Sequence, residues 1–206
     1  MEIVNRQVKL VSTQDYAEVL RIIELCGRNC YHSEGAIKEG SAEKFIKGII
    51  KADHTSVLEH CNLTFEIVCD RAVMAQMTRH RLATFHIESQ RYNRYSDDVK
   101  YIVPYGIDGK GYDIWRANCI MAEEAYRELL ENGYKPETAR SVLPNCVATV
   151  MKMTMNFREL RHFFSLRCDS HAQIDCRLIA NEMLKLVYEK YPVFVADLWE
   201  KYINKE

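Results

Sequence analysis

The chain has 206 residues, 48% of them hydrophobic and 28% charged, with a formal net charge of −1 at pH 7. That length can bury a substantial core and predicts one domain spanning residues 1–206, while the near-neutral balance argues against a surface that is basic throughout. Four prolines and eight glycines leave little room for flexible arms, and charged residues interrupt every apolar run before it reaches membrane-spanning length.

The opening Met1-Glu2-Ile3-Val4-Asn5-Arg6 lacks the basic-then-apolar design of a signal peptide, which leads to the expectation of a cytoplasmic protein. Eight cysteines occur with no Cys-x-x-Cys pair. Cys26 and Cys30, with His32 nearby, have a spacing that could make half of a metal site, but a second pair of ligands is not evident. Reduced structural thiols and no metal are therefore expected.

Residues 3–11 read as a short strand. Ser12-Thr13 offers a cap for a helix to about Asn29, with Tyr16, Val19, Leu20 and Ile23 at helical spacing. Ser41-Ala42-Glu43-Lys44 has the composition of a second helix start, and a polar break follows at 53–56. Residues 62–69 alternate as a half-buried strand. A helix is predicted over 71–82, then a loop from about Thr84 to Ser96 and a brief strand at 100–104. Residues 111–132 have strong helical periodicity, closed by Gly133. Pro136 opens a short helix that the Leu143-Pro144 step halts. Residues 146–156 alternate again, and helices are predicted at 157–167, 171–189 and 192–203. Strands scattered among many helices, without regular alternation, predict an α+β fold with a mainly antiparallel sheet flanked by helices.

Cationic groups are concentrated at Arg79-His80-Arg81-Leu82-Ala83-Thr84-Phe85-His86-Ile87-Glu88-Ser89-Gln90-Arg91-Tyr92. From Arg71 to Tyr95 there are five arginines, two histidines and no lysine, against Glu88 alone. A guanidinium is a planar fork that grips phosphate or carboxylate at two points, so the consistent choice of arginine favours geometry over bulk charge. On a helix Arg79 and Arg81 would diverge by about 200° and would address separate anions or two parts of one large anion. Two further clusters accompany this stretch: His54-Thr55-Ser56 with Glu59-His60, and Asn156-Phe157-Arg158 followed by His162 and Arg167. Read alone, the first could form a metal site from His54, Glu59 and His60, but its spacing is not that of the familiar zinc helix. Capping by its hydroxyls is the simpler reading, while Arg167 in the second could merely cap helix carbonyls. Taken with Tyr92, Tyr95 and Tyr101, the arginines also suit a module that stacks single-stranded nucleic acid, a reading the near-neutral charge weighs against. A structural oligomer without activity is a third reading.

Arg79-His80-Arg81, seven residues, then Ser89-Gln90-Arg91-Tyr92 resembles the signature of the flavin-dependent thymidylate synthases. The resemblance extends to His54-x-Ser56-x-x-Glu59-His60, Gln76, Ala139-Arg140-x-Val142-Leu143-Pro144, Asn156-x-Arg158 and Leu166-Arg167-x-Asp169-Ser170-x-Ala172-Gln173, covering roughly residues 40 to 190. It implies reductive methylation of dUMP to dTMP, with methylenetetrahydrofolate as carbon donor and FAD, reduced by NADPH, as hydride source. It implies FAD contacts from Ser56, Arg79, His80, Arg81, Asn156, Arg158 and His162. The dUMP contacts it implies come from Gln76, Arg79, Ser89, Gln90, Arg91, Arg140 and Arg167, with Glu88 a candidate for a glutamate that many members carry nearby. Arg167 is the expected catalytic residue, a fixed cation that would stabilise charge developing on the uracil ring. The resemblance further implies a homotetramer with shared active sites, and no nucleic-acid or membrane partner.

The chain departs from the family pattern at His86-Ile87-Glu88, where many members carry Asn-Glu and an apolar residue, and also at Ala75 and Ile174. No proline precedes a cysteine, so the Pro-Cys-His setting of the cysteine-dependent thymidylate synthases is absent. Ser89 lacks an evident base at any spacing, and a substrate-binding role is expected for it.

Overall fold

A computed structural model describes residues 1–11, 14–95 and 98–204. Among them the strands are β1 (Glu2–Ile3), β2 (Gln7–Leu10), β3 (Asn62–Asp70), β4 (Ala83–Ile87), β5 (Lys100–Tyr101) and β6 (Ala148–Asn156). The helices are α1 (Tyr16–Asn29), α2 (Ser41–Lys51), α3 (Arg71–Met77), α4 (Gly109–Glu131), α5 (Pro136–Ala139), α6 (Phe157–Arg167), α7 (Ile174–Lys190) and α8 (Ala196–Tyr202). Strands β2-β3-β6-β4 form an antiparallel sheet flanked by helices, and β1 pairs in parallel with β5. The α+β expectation holds.

The chain separates into two compact units: Met1–Gln7, Ile67–Arg79 and Phe85–Lys152 in the first, Val8–Glu66, His80–Thr84 and Met153–Glu206 in the second. In the first unit Val99, Tyr101, Cys119 and Val147 are buried together, with Trp115 and Leu143 packed on them. The Tyr101 hydroxyl donates to the Cys119 carbonyl at 3.2 Å, so the buried phenol is satisfied. In the second unit α7 buries Cys176, Ile179, Ala180, Met183, Leu184 and Val187, the inward stripe of an amphipathic helix. Phe157, Leu160, Phe163 and Phe164 do the same for α6. Thr64 and Thr154 hydrogen-bond through their hydroxyls at 2.9 Å as a cross-strand pair.

Local chemistry explains most boundaries. The expected Ser12-Thr13 cap lies outside the described residues, while Asp15 caps α1 by accepting the Glu18 N–H at 3.1 Å. Ser41 sits inside α2 with Gly40 at the cap position, and its hydroxyl donates to the Glu24 carboxyl at 2.8 Å. Gly133 closes α4 with φ 86°, a conformation costly for a side chain bearing Cβ. All eight cysteines are free thiols.

Three expectations are corrected. The strand predicted over 3–11 is split into β1 and β2, and the helix predicted to 82 stops at Met77. The loop expected from Thr84 begins only after β4, which takes residues 83–87. Ala83-Thr84-Phe85-His86-Ile87 alternates in burial along the strand, a period-2 signal masked by its polar neighbours.

Candidate active site

The first unit carries Gln76, Arg79, Glu88, Ser89, Gln90, Arg91 and Arg140. Asp70 opens α3 by accepting the Val73 N–H at 2.8 Å, and the helix ends in a turn in which the Arg79 N–H reaches the Gln76 carbonyl at 3.3 Å. Gln76 is thus in the last turn of the helix and Arg79 just beyond it, exposed. The helical divergence expected for Arg79 and Arg81 does not apply, because neither is helical.

Glu88 is tied to β6: its N–H donates to the Val150 carbonyl at 3.0 Å and its carboxyl accepts the Val150 N–H at 3.4 Å. Its carbonyl accepts Arg71 Nη2 at 3.2 Å. Ser89 Oγ accepts the Arg91 N–H at 3.2 Å, a turn-forming contact that shapes the loop. Gln90 is buried, and among the described residues its Nε2 has no hydrogen-bond partner.

Arg91 Nε donates to Glu137 Oε2 at 2.9 Å. That hydrogen bond and the Arg91 charge hold the Glu137 carboxyl below its ordinary range, with Arg140 adding in the same direction. Two arginines expected to contact dUMP therefore act on one carboxylate. Glu137 was not among the expected site residues, although it lies three positions before Arg140, at a spacing that pairs on a helix.

The second unit carries Ser56, His80, Arg81, Asn156, Arg158, His162 and Arg167. Asn156 caps α6, accepting the Glu159 N–H at 2.8 Å. The exposed Arg158 donates through Nη1 to Glu59, one contact of a fork with five donors. Ser56, Arg81 and His162 are exposed. His80, by contrast, is only 5% exposed. Its Nδ1 lies 3.1 Å from Glu159 Oε1, and its Nε2 accepts Arg167 Nε–H at 3.1 Å. Sequence reasoning missed Glu159, because Arg158-Glu159-Leu160-Arg161 reads as a solvated charged face with one apolar residue.

Burial pushes the His80 imidazole below its ordinary value of 6.5, and the Arg167 and His162 charges act the same way, against the Glu159 hydrogen bond and charge. The unfolded chain thus binds the extra proton more readily than the folded one. Stability from this site is complete above pH 6.5 and is lost as pH falls through the lower folded value. Thermal unfolding between pH 7.5 and 5.5 is expected to show a falling midpoint, worth up to about 1.4 kcal/mol per pH unit for one group. A His80→Gln variant is expected to flatten that slope, and an unchanged slope would contradict the assignment.

A family model described as thymidylate synthase complementing protein matches residues 9–193. The chain belongs to this family. Its similar relatives are named flavin-dependent thymidylate synthase. The one from Geobacter sulfurreducens is 35% identical over 200 residues, covering 92% of this chain and 86% of the relative. The one from Sulfurisphaera tokodaii is 38% identical over 192 residues, covering 90% and 74%. Among solved structures, a UMP/dUMP methylase, PolB from Streptomyces cacaoi bound with 5-Br dUMP, superposes with a TM-score of 0.84 at 25% identity, covering 98% of each chain. By family the protein is an FAD-dependent methyltransferase.

The second unit offers chemistry that suits a flavin dinucleotide of this thymidylate synthase family. A pyrophosphate wants separate cationic forks, and Arg81 and Arg158 supply exposed guanidinia. Ser56 adds a hydroxyl and His162 an imidazole, both exposed. His80 differs from these, since its ring nitrogens are engaged by Glu159 and Arg167.

Proposed function

We propose that this chain converts dUMP to dTMP, taking the one-carbon unit from methylenetetrahydrofolate and using FAD reduced by NADPH. What carries the reading is the family match over residues 9–193, within which Arg79-His80-Arg81 and Ser89-Gln90-Arg91 fall in the family's spacing. The match over residues 9–193 supports reading the chain as one functional domain, whose residues cluster in two compact units. The substrate class also rests on the solved relative, a UMP/dUMP methylase.

In this reading Ser56, Arg81, Asn156, Arg158 and His162 hold the flavin, and the buried His80, engaged by Glu159 and Arg167, supports that site from within the fold. Gln76, Arg79, Glu88, Ser89, Gln90, Arg91 and Arg140 hold the nucleotide. The bound reduced flavin supplies the hydride. The protein's own residues orient the pyrimidine and set the local field, and Arg167 places a fixed positive charge where negative charge grows on the ring. The enzyme works in the cytoplasm as a homotetramer whose sites draw on several subunits, an arrangement consistent with symmetric association generally. Neither nucleic acid nor membrane is a partner in this reading.

Ser89 is a nucleotide-binding residue in this account, its Oγ engaged by the Arg91 N–H. Ser89→Ala should keep measurable dTMP formation, with the loss chiefly in KM for dUMP. An inactive variant that still binds dUMP would assign the serine a nucleophilic role instead. The proposed reaction as a whole is tested by the absorbance of protein mixed with FAD and by NADPH oxidation with and without dUMP. A bound flavin spectrum and dUMP-dependent oxidation are expected, and loss of both would remove the proposal.

A further inference from the structure

We infer that Glu159 is a positioning residue for Arg167, acting through His80, so that the guanidinium is presented in one fixed direction. The inference rests on the reading that Arg167 faces the pyrimidine, and its contacts lie wholly within the second unit.

Glu159 sits in the first turn of α6 and Arg167 is the last residue of the same helix. Eight residues at roughly 1.5 Å per residue separate them by about 12 Å along the axis, too far for a direct ion pair. The His80 imidazole bridges the gap. Its Nε2 lies 3.1 Å from Arg167 Nε, and a guanidinium nitrogen can only donate, so Nε2 must present its lone pair. The proton of the neutral ring is then on Nδ1, which donates to Glu159 Oε1 at 3.1 Å. Glu159 thereby selects the tautomer that can accept from Arg167.

The bridge is held from the sides as well. Phe163 meets the imidazole edge-on, with centroids 4.9 Å apart, and the His162 ring lies 6.1 Å away. Glu159 is itself only 5% exposed, and its backbone N–H is fixed by Asn156 at 2.8 Å. A carboxyl buried this far costs stability unless its partners are well placed. A surface glutamate would serve a purely helical role without that cost. Holding Nε of a planar fork fixes the plane of the whole guanidinium, and misplacement by about 1 Å can cost on the order of 100-fold in rate.

The test is a ¹⁵N spectrum of histidine-labelled protein, with His80 assigned by the signal missing from His80→Gln. Near pH 7.5 the wild type should show a protonated Nδ1 and an unprotonated Nε2. In Glu159→Gln the amide can meet Nδ1 with either its oxygen or its NH2, so the preference weakens. The Nε2–H form should then appear as a second population, opposing Arg167 donor to donor where it forms. The same variant should lose about 10–100-fold in kcat for dTMP formation. A wild-type His80 protonated at Nε2 overturns the inference, as does a Glu159→Gln protein with wild-type kcat or an unchanged tautomer. The wild-type spectrum needs no variant, so poor folding of Glu159→Gln leaves the tautomer result decisive. If the wild type makes no dTMP, the proposed function fails and the spectrum still decides the relay. If the wild type is active and Glu159→Gln matches it, only the relay fails.

Discussion

Arg167→Ala is expected to lower kcat for dTMP formation by about 100- to 1000-fold while leaving FAD bound. The size follows from the role proposed for it. Removing one preorganised donor from developing charge typically costs about 2.7–4 kcal/mol of transition-state stabilisation. Flavin retention follows from the proposed assignment of the flavin to the exposed Ser56, Arg81 and Arg158, side chains other than the one removed. The substitution also removes the donor to His80 Nε2, so a modest fall in stability should accompany the kinetic loss. Single-turnover measurements with flavin absorbance as a second signal separate the two effects. Normal turnover would show that another group stabilises the pyrimidine.

Phe157→Ala should destabilise the fold by about 3–5 kcal/mol, the usual cost of emptying an aromatic site in a close-packed core. Phe157 is fully buried, stacked on Phe194 with centroids 4.2 Å apart and edge-on to Tyr191 at 5.4 Å. It is the first residue of α6, directly before Arg158 and Glu159. The loss therefore falls where the helix presents the side chains proposed to act in the site. Typical domains have about 5–15 kcal/mol in total, so a substantial part of the stability would go. Denaturant titration should show a lower midpoint with little change in slope. A shift worth under about 1 kcal/mol would mean that neighbouring side chains collapse into the space.

The sequence made periodic elements legible and left local competition hidden. Helices α1, α4 and α6 and strands β3 and β6 follow their apolar spacing closely, because burial of one face decides them. Strand β4 was hidden because His86 and Thr84 gave a short alternating run the look of a polar loop. The end of α3 at Met77 was hidden as well, since Thr78, Arg79 and His80 have no strong bias against a further helical turn. Among site residues, the arginines were visible from type and order. Their carboxylate pairings were not. Glu59 stood out only as part of the cluster at 54–60, Glu137 and Glu159 not at all, and only the fold shows that the three meet Arg158, Arg91 and His80. His80 was visible as part of a motif, but its burial, and with it the tautomer argument, came only from the structure.

The most direct measurement is product analysis. Purified protein would be incubated anaerobically with FAD, NADPH, methylenetetrahydrofolate and dUMP, and the nucleotides separated and identified by mass. The proposed function predicts dTMP that appears only when flavin, folate and dUMP are all present. Failure to form dTMP with flavin bound and every substrate supplied, or dTMP formation that continues without flavin, would contradict it.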